Sequence, residues 1–257
     1  MNKRKNILVL IFLLILLFVL NYNFLDGALI KFFDESETVS VERVVDGDTV
    51  IVEGESVRLL GINSPERGER YYSEAKKYLE NLVLNQTVRL EYGKDKLDKY
   101  QRILAYLYVG RKNINLELVE EGFANYYFPS GKDKYYDDFV LAWKNCIKEN
   151  KNLCEKSVNV CVVLKEFDYK NQRVVFENVC DFDLNLKDWE IKDEGRKNFV
   201  FENFVLVSGE KIEIKVGEGV DNSETLFWEG ETYVWTSSGD TLFLRDEGGG
   251  LVLWEGF

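Results

Sequence analysis

Histidine is absent from the 257 residues. That excludes Ser-His-Asp and Cys-His catalysis, histidine-ligated zinc and histidine-based nuclease chemistry. Any acid–base work must fall to carboxylates, lysine, tyrosine or cysteine. Proline occurs only twice, so no proline-rich linker divides the chain. Basic charge is also short: 33 Lys and Arg stand against 45 Asp and Glu, a net charge of −12. The shortage is local. Residues 158–257 carry 10 basic and 21 acidic side chains, net −11, whereas residues 40–157 carry 19 and 20, net −1. The last hundred residues would repel phosphates, while the middle can still hold a basic site. The change near residue 157 marks an expected domain boundary. With 46% hydrophobic and 14% aromatic residues the chain is built to fold, and its length suits one large domain or two ordinary ones.

Lys3-Arg4-Lys5 precedes Ile7 to Leu20, fourteen apolar residues without a break, and Phe24-Leu25 resumes the run. A basic stretch followed by such a run reads as a secretory signal. No small-residue cleavage pair follows Leu20, so the preferred expectation is an uncleaved signal anchor over residues 7–25. Residues 1–6 would be cytoplasmic and residues 26–38 a linker. The bulk of the chain would lie outside a single-pass membrane span, or be secreted if the segment is cleaved. An outside location permits disulfides between Cys146, Cys154, Cys161 and Cys180. Proximity favours Cys146 with Cys154, leaving Cys161 with Cys180, although four cysteines allow three pairings and the sequence does not choose. Buried free thiols are the bland alternative.

Residues 39–157 read as five strands and three helices. Val39 to Val45 and Thr49 to Val52 flank an Asp46-Gly47-Asp48 turn, and Val57 to Ile62 forms a third strand. Ala75, Tyr78, Leu79, Leu82 and Val83 give an amphipathic helix over residues 71–84. Strands over 87–92 and 103–109, joined by a long polar connection, precede a short helix from Ile114 to Glu121 and a last one over 135–150. This is the pattern of a small closed barrel of the OB type with helices packed on it. Residues 158–257 break into short β-patterned runs with turn signals between them, an all-β sandwich. The expected class is therefore mainly β with some α.

Charged residues interrupt the apolar pattern. Arg58 sits inside an apolar strand, Glu66 follows Asn63-Ser64-Pro65, and Arg102 opens a strand. Each has an ordinary reading: Asp-Gly is a turn signal, Ser-x-Glu a helix cap, and a strand arginine a surface ion-pair partner. Together they fall in a known order. Val44-Val45-Asp46-Gly47-Asp48-Thr49, Val57-Arg58-Leu59-Leu60-Gly61-Ile62-Asn63-Ser64-Pro65-Glu66 and Asp98-Lys99-Tyr100-Gln101-Arg102-Ile103 resemble the staphylococcal nuclease (thermonuclease) family. The likeness continues through Leu118 to Ala124.

That resemblance implies a calcium-dependent phosphodiesterase on DNA and RNA, cutting the P–O5′ bond and leaving 3′-phosphates. It implies that Arg58 and Arg102 clamp the phosphate, and that Glu66 is the general base for water. Asp48 would be a calcium ligand and Ser64 a backbone-carbonyl ligand. Lys99 and Tyr100 would contact a terminal phosphate, and Tyr126 or Tyr127 would stack on a base. The family's second calcium carboxylate falls at Asn63, which removes one negative charge and implies weaker or altered metal binding. Leu153-Cys154 replaces a tryptophan that often closes the domain. Further on, Val174-Val175-Phe176-Glu177-Asn178, Leu186 to Ile191, Ser208-Gly209-Glu210-Lys211-Ile212 and Ser238 to Leu244 resemble the lamin-tail domain, an Ig-like sandwich. Its implied role is attachment to a protein or envelope partner. There Trp189 reads as core, and Asp240 and Asp246 as turn carboxylates. Three readings compete: a membrane-anchored, outward-facing nuclease; a catalytically inactive OB module binding nucleic acid or protein; and a structural surface protein. The trio Arg58, Glu66 and Arg102 favours the first.

Overall fold

The computed structural model describes residues 36–257. The expected cytoplasmic N-terminus, the membrane span over 7–25 and the linker as far as residue 35 lie outside the described residues. Among the described residues no helix is long and apolar enough to cross a membrane.

The first half contains β1 (Ser36–Asp46), β2 (Thr49–Val52), β3 (Glu55–Leu59), β4 (Ile62–Asn63), α1 (Tyr72–Val83), β5 (Thr87–Leu97), β6 (Ile103–Val109), β7 (Lys112–Asn113), α2 (Ile114–Glu120), β8 (Asn125–Tyr126) and α3 (Tyr136–Glu149). Strand order β3-β2-β1-β5-β6-β7, with β3 also pairing β6, closes a five-stranded barrel. The closing pair is parallel, with Val57 beside Ile103 and Arg58 beside Leu104. Alternating positions point inward: Val39, Val41, Val50, Val57, Leu90 and Leu107 are buried in one apolar core. The helices cover it with Leu79, Val83, Leu118, Phe139 and Trp143.

Two sequence expectations change here. The strand expected over 57–62 stops at Leu59, and after a turn through Gly61 the chain pairs again as β4 against β8. Gly61 has φ +73°, and a Cβ there would come within 3.1 Å of Phe128, so glycine is required for this break. The long polar connection also shrinks, because β5 runs on to Leu97 through an irregular stretch after Tyr92.

The second half is a sandwich. It contains β9 (Val162–Asp168), β10 (Arg173–Asn178), β11 (Leu184–Asn185), β12 (Glu190–Lys192), β13 (Asn198–Val200), β14 (Val205–Leu206), β15 (Lys211–Val216), β16 (Thr225–Trp228), β17 (Thr241–Arg245) and β18 (Leu251–Gly256). The sheet β16-β15-β10-β9 faces the sheet β13-β12-β17-β18 across a core of Val174, Phe176, Trp189, Ile191, Ile214 and Trp235. Strands β11, β14 and β16 are not expected from the sequence: the first two are only two residues long, and β16 joins β15 in parallel.

Disulfides join Cys146 to Cys154 and Cys161 to Cys180. The first ties α3 to the turn that leaves the barrel. Bridges of this kind contribute on the order of 2–4 kcal/mol, chiefly by restricting the unfolded chain. The two halves share a packed junction. Phe243 and Leu251 of the sandwich belong to the barrel's core, Phe243 meeting Trp143 edge to face at 5.5 Å. Tyr126 and Thr241 join hydroxyls at 2.6 Å.

Candidate active site

The site begins with the β1–β2 turn. A Cβ on Gly47 would lie 2.7 Å from the Ser64 Cβ and 2.9 Å from the Ala75 Cβ. Glycine therefore lets the turn press against the loop after β4. Because of that close approach, the Asp48 carboxylate accepts the backbone N–H of Ser64 at 2.9 Å and its hydroxyl at 3.0 Å. Thr49 lies opposite Arg58 in the β2–β3 ladder, which sets Asp48 beside Arg58. Asp48 Oδ2 and Arg58 Nη2 form an ion pair at 3.0 Å.

Arg58 is buried and heavily engaged. Its Nη1 donates to the carbonyls of Leu59 at 2.8 Å and Ile62 at 2.9 Å, and its Nη2 donates to Asn63 Oδ1 at 3.2 Å. Arg102 differs. Its Nε donates to Asp98 Oδ2 at 2.7 Å, and its backbone N–H to Asp98 Oδ1 at 2.9 Å. Burial pushes the Asp98 carboxyl up, but the donors of Arg102 more than offset this and leave it below the ordinary aspartate value. The terminal nitrogens of Arg102 make no hydrogen bond or ion pair to protein among the described residues, and the guanidinium lies 5.5 Å from the exposed Tyr100 ring. In the parallel β3–β6 register Leu104 lies opposite Arg58, and Arg102 stands two positions before it, just ahead of β6. Lys99 is exposed, with its ammonium 5.0 Å from the Tyr100 ring.

Glu66 is exposed at the end of the loop that starts at Asn63. Its carboxylate pairs with neither Arg58 nor Arg102. Its partner is Arg196 of the sandwich, at 2.6 Å. Arg196 belongs to the five-residue turn 193–197 between β12 and β13. The same turn takes the Asn63 Nδ2 donor on the Gly195 carbonyl at 2.7 Å and the Asn125 Nδ2 donor on the Glu194 carbonyl at 2.9 Å. Glu194 Oε2 accepts the Phe128 N–H at 3.2 Å, and Glu194 Oε1 accepts the Thr241 hydroxyl at 2.7 Å. Burial, with Asp240 close by, pushes Asp193 and Glu194 up to about 7 each. None of Glu194, Gly195 or Arg196 is legible as a site residue in the sequence. Asp193-Glu194-Gly195-Arg196 reads as a polar turn, and its barrel partners lie more than sixty residues away.

One expected role is corrected. Tyr126 is 1% exposed, with its ring against Trp143 and its hydroxyl on Thr241, so it cannot stack on a base. Tyr127 is half-buried beside Gly195, and burial, then Asp193, raises its phenol.

A hard divalent cation takes six to eight oxygen ligands. The residues available are the Asp48 carboxylate, the Asn63 amide oxygen and the Ser64 carbonyl, with Asp46 alongside. Burial and the neighbouring Asp48 push the Asp46 carboxyl up. These groups are hard oxygen donors of the kind calcium takes, and Arg58 already supplies Asp48 with one cation at 3.0 Å and holds the Asn63 amide oxygen. Among the described residues no three acidic or cysteine groups converge as a metal cluster, so neutral oxygens would complete the shell. Beside Asn63, Ser64 and Pro65 lies a cavity of about 330 Å³, closed on the sandwich side by Glu190, Lys192 and Arg245.

Residues 56–156 match the staphylococcal nuclease homologue family, and residues 155–257 match the Lamin Tail Domain family. A thermonuclease of Staphylococcus intermedius is 36% identical over 130 residues, which cover 47% of this chain and 77% of the relative. A thermonuclease of Staphylococcus hyicus is 35% identical over 127 residues, covering 46% and 75%. The endonuclease YncB of Bacillus subtilis is 33% identical over 131 residues, covering 46% and 62%. The matched stretch is the barrel that carries Arg58, Glu66 and Arg102, and through it the chain belongs to the staphylococcal nuclease homologue family.

Proposed function

We propose that the barrel hydrolyses phosphodiester bonds of DNA and RNA by attack of water, releasing the 5′ oxygen and leaving a 3′-phosphate. The observation that carries this is Arg102, whose Nε is fixed by Asp98 while its two terminal nitrogens have no protein partner among the described residues. A guanidinium held in that way offers two parallel donors to phosphate oxygens. Arg58 holds the β4 loop through its carbonyl and amide acceptors, and reaches substrate by exchanging one of them for a phosphate oxygen. Both cations stabilise the extra negative charge that builds on phosphorus as water adds. Glu66 takes the proton of the attacking water, and the leaving 5′ oxygen takes one from solvent. Asp48, Asn63 and Ser64 would hold calcium, which supplies Lewis-acid charge at the phosphate. Lys99 and Tyr100 bind the neighbouring part of the strand, and the half-buried Tyr127 is the remaining candidate for contact with a base.

The chain acts, in this reading, on the outer side of a membrane through the apolar segment at residues 7–25, or in secreted form, and the acidic sandwich meets a protein or envelope partner. The test is cleavage of single-stranded DNA by the full chain, in calcium and in chelator. Cleavage that chelator abolishes, and that falls at least a hundredfold in Arg102→Gly and Glu66→Ser, is the expected result. The second reading, an inactive OB module, draws on Asn63, which gives its amide to Gly195 where the family pattern has a carboxylate. Binding of nucleic acid in calcium without turnover would favour it.

A further inference from the structure

We propose that Arg196, delivered by the sandwich, is a positioning residue of the nuclease site that fixes the carboxylate of Glu66. The inference rests on the nuclease reading above. Glu66 stands at the exposed end of its loop. Its backbone N–H is held by Glu69 at 2.8 Å, but its side chain has no barrel partner among the described residues. A glutamate free to rotate would hold a water in line with phosphorus only part of the time. Arg196 removes that freedom with a 2.6 Å ion pair.

The pair gives little to folding. The two side chains are 66% and 47% exposed, and such surface pairs contribute little to stability. The turn that carries Arg196, however, is held at several points, all next to the site. Asn63 donates to Gly195, Asn125 to the Glu194 carbonyl and Phe128 to the Glu194 carboxylate. Within the turn, Lys197 N–H closes on Asp193 Oδ1 at 3.0 Å. A weak pair on a firmly placed support suits orientation of a reacting group better than it suits stability.

Asn63 is explained by the same contact. Its Oδ1 accepts from Arg58 while its Nδ2 donates to the Gly195 carbonyl. A carboxylate at this position would set a second acceptor against that carbonyl. The departure from the family pattern and the docking of the turn are two sides of one fit, which makes the sandwich a wall of the nuclease site and not only an attachment module.

The experiment uses the full chain and its Arg196→Ala and Arg196→Lys variants, each also in a Glu66→Ser background, with a short single-stranded oligonucleotide in calcium. Arg196→Ala should lower kcat about tenfold with KM within about twofold and thermal stability nearly unchanged, and Arg196→Lys should recover most of the rate. Because Arg196 acts through Glu66, Arg196→Ala should change nothing further in the Glu66→Ser background. Equal rates for Arg196→Ala and the parent overturn the proposal. So does a faster alanine variant, which would make the arginine a brake on Glu66, or a loss confined to KM. A parent protein that binds the oligonucleotide and never cleaves it overturns the nuclease reading and this inference with it, whereas cleavage indifferent to Arg196 removes this inference alone.

Discussion

The barrel and the sandwich each bury an arginine, and they treat it in opposite ways. Arg58 is 7% exposed and Arg245 is 8% exposed. Around Arg58 the barrel gathers two carbonyls, an amide oxygen and the Asp48 carboxylate. The sandwich gives Arg245 one carbonyl, Gly249 at 3.0 Å, and no carboxylate within ion-pair reach among the described residues. Burial accordingly pushes the Arg245 guanidinium down to about 10. The lesson is that burial alone does not make a charged residue structural. What decides is whether the site was built around the charge, and the surroundings of Arg58 are also the residues that chemistry would use.

The widest gap should appear on deletion. Arg58→Ala leaves Asp48 buried without its cation and frees the acceptors at Leu59, Ile62 and Asn63. Loss of one partner of a buried pair costs about 3–5 kcal/mol, and urea unfolding should show a loss of that size together with loss of cleavage. A loss below about 1 kcal/mol would mean that water already screens this pair and that the barrel is no better built than the sandwich.

Asn63→Asp sharpens the comparison at the place where the two regions touch. The new carboxylate strengthens the contact to Arg58 but cannot donate to the Gly195 carbonyl. An unpaired buried acceptor costs about 1–3 kcal/mol. In chelator the variant should therefore unfold about 1–2 kcal/mol earlier than the parent. Added calcium should raise its melting temperature more than that of the parent, since the site regains a carboxylate. Equal response to calcium in both proteins would remove position 63 from the metal site.

The turn that joins the regions should respond to pH. Asp193 and Glu194 are raised to about 7 in the folded protein by burial, with Asp240 adding repulsion and Lys197 opposing it at Asp193. Folded values above the unfolded ones mean that the native state holds protons the unfolded chain has released. Their stability is fully present below about pH 4 and is lost as pH rises through 7. Between pH 5 and 8 the melting temperature should fall, by an amount that corresponds to a few kcal/mol at most. Glu194→Gln, whose one amide oxygen still accepts the Phe128 N–H while its NH2 donates to the Thr241 hydroxyl oxygen, should flatten part of that slope. An unchanged slope would show that Glu194 is already ionised at pH 5.

Much of this was readable from residue order. Val39 to Val52, Arg173 to Asn178 and Lys211 to Val216 alternate with the period of a half-buried strand, and Ala75 to Val83 follows a helical stripe, because burial on one face imposes those periods. Arg58 was visible because it breaks an apolar strand, whereas Asp48, Glu66 and Arg102 stood out only through the order of motifs they share with the nuclease family. What was hidden lies between segments distant in the chain. Nothing near Glu66 points to Arg196, since their pairing depends on how two folded halves meet. The stacking role expected for Tyr126 failed for the same reason: Thr241 and Trp143 cover it from elsewhere. The break at Gly61 is local, yet its purpose, to turn Asn63 and Ser64 back toward Asp48, appears only once the barrel closes.

The smallest effect should come from Arg245. Arg245 lines the 330 Å³ cavity at the junction, where its cross-strand neighbour Glu190 and Asp246 supply opposing charge and Arg70 adds repulsion. Replacing a buried, weakly compensated charge by an apolar side chain of similar length is often neutral or stabilising, because the desolvation cost disappears with the charge. Arg245→Met retains most of the stem that packs in the sandwich and removes the head. Gly249 loses a donor and Glu190 a cross-strand counter-charge outside ion-pair reach, but both adjoin a cavity roomy enough for water to replace the lost contact. Unfolding in urea should therefore shift by less than about 1 kcal/mol in either direction, against the 3–5 kcal/mol expected at Arg58. A loss above about 3 kcal/mol would show that Arg245 has a strong anionic partner in solution, and that the sandwich, like the barrel, was built around its arginine.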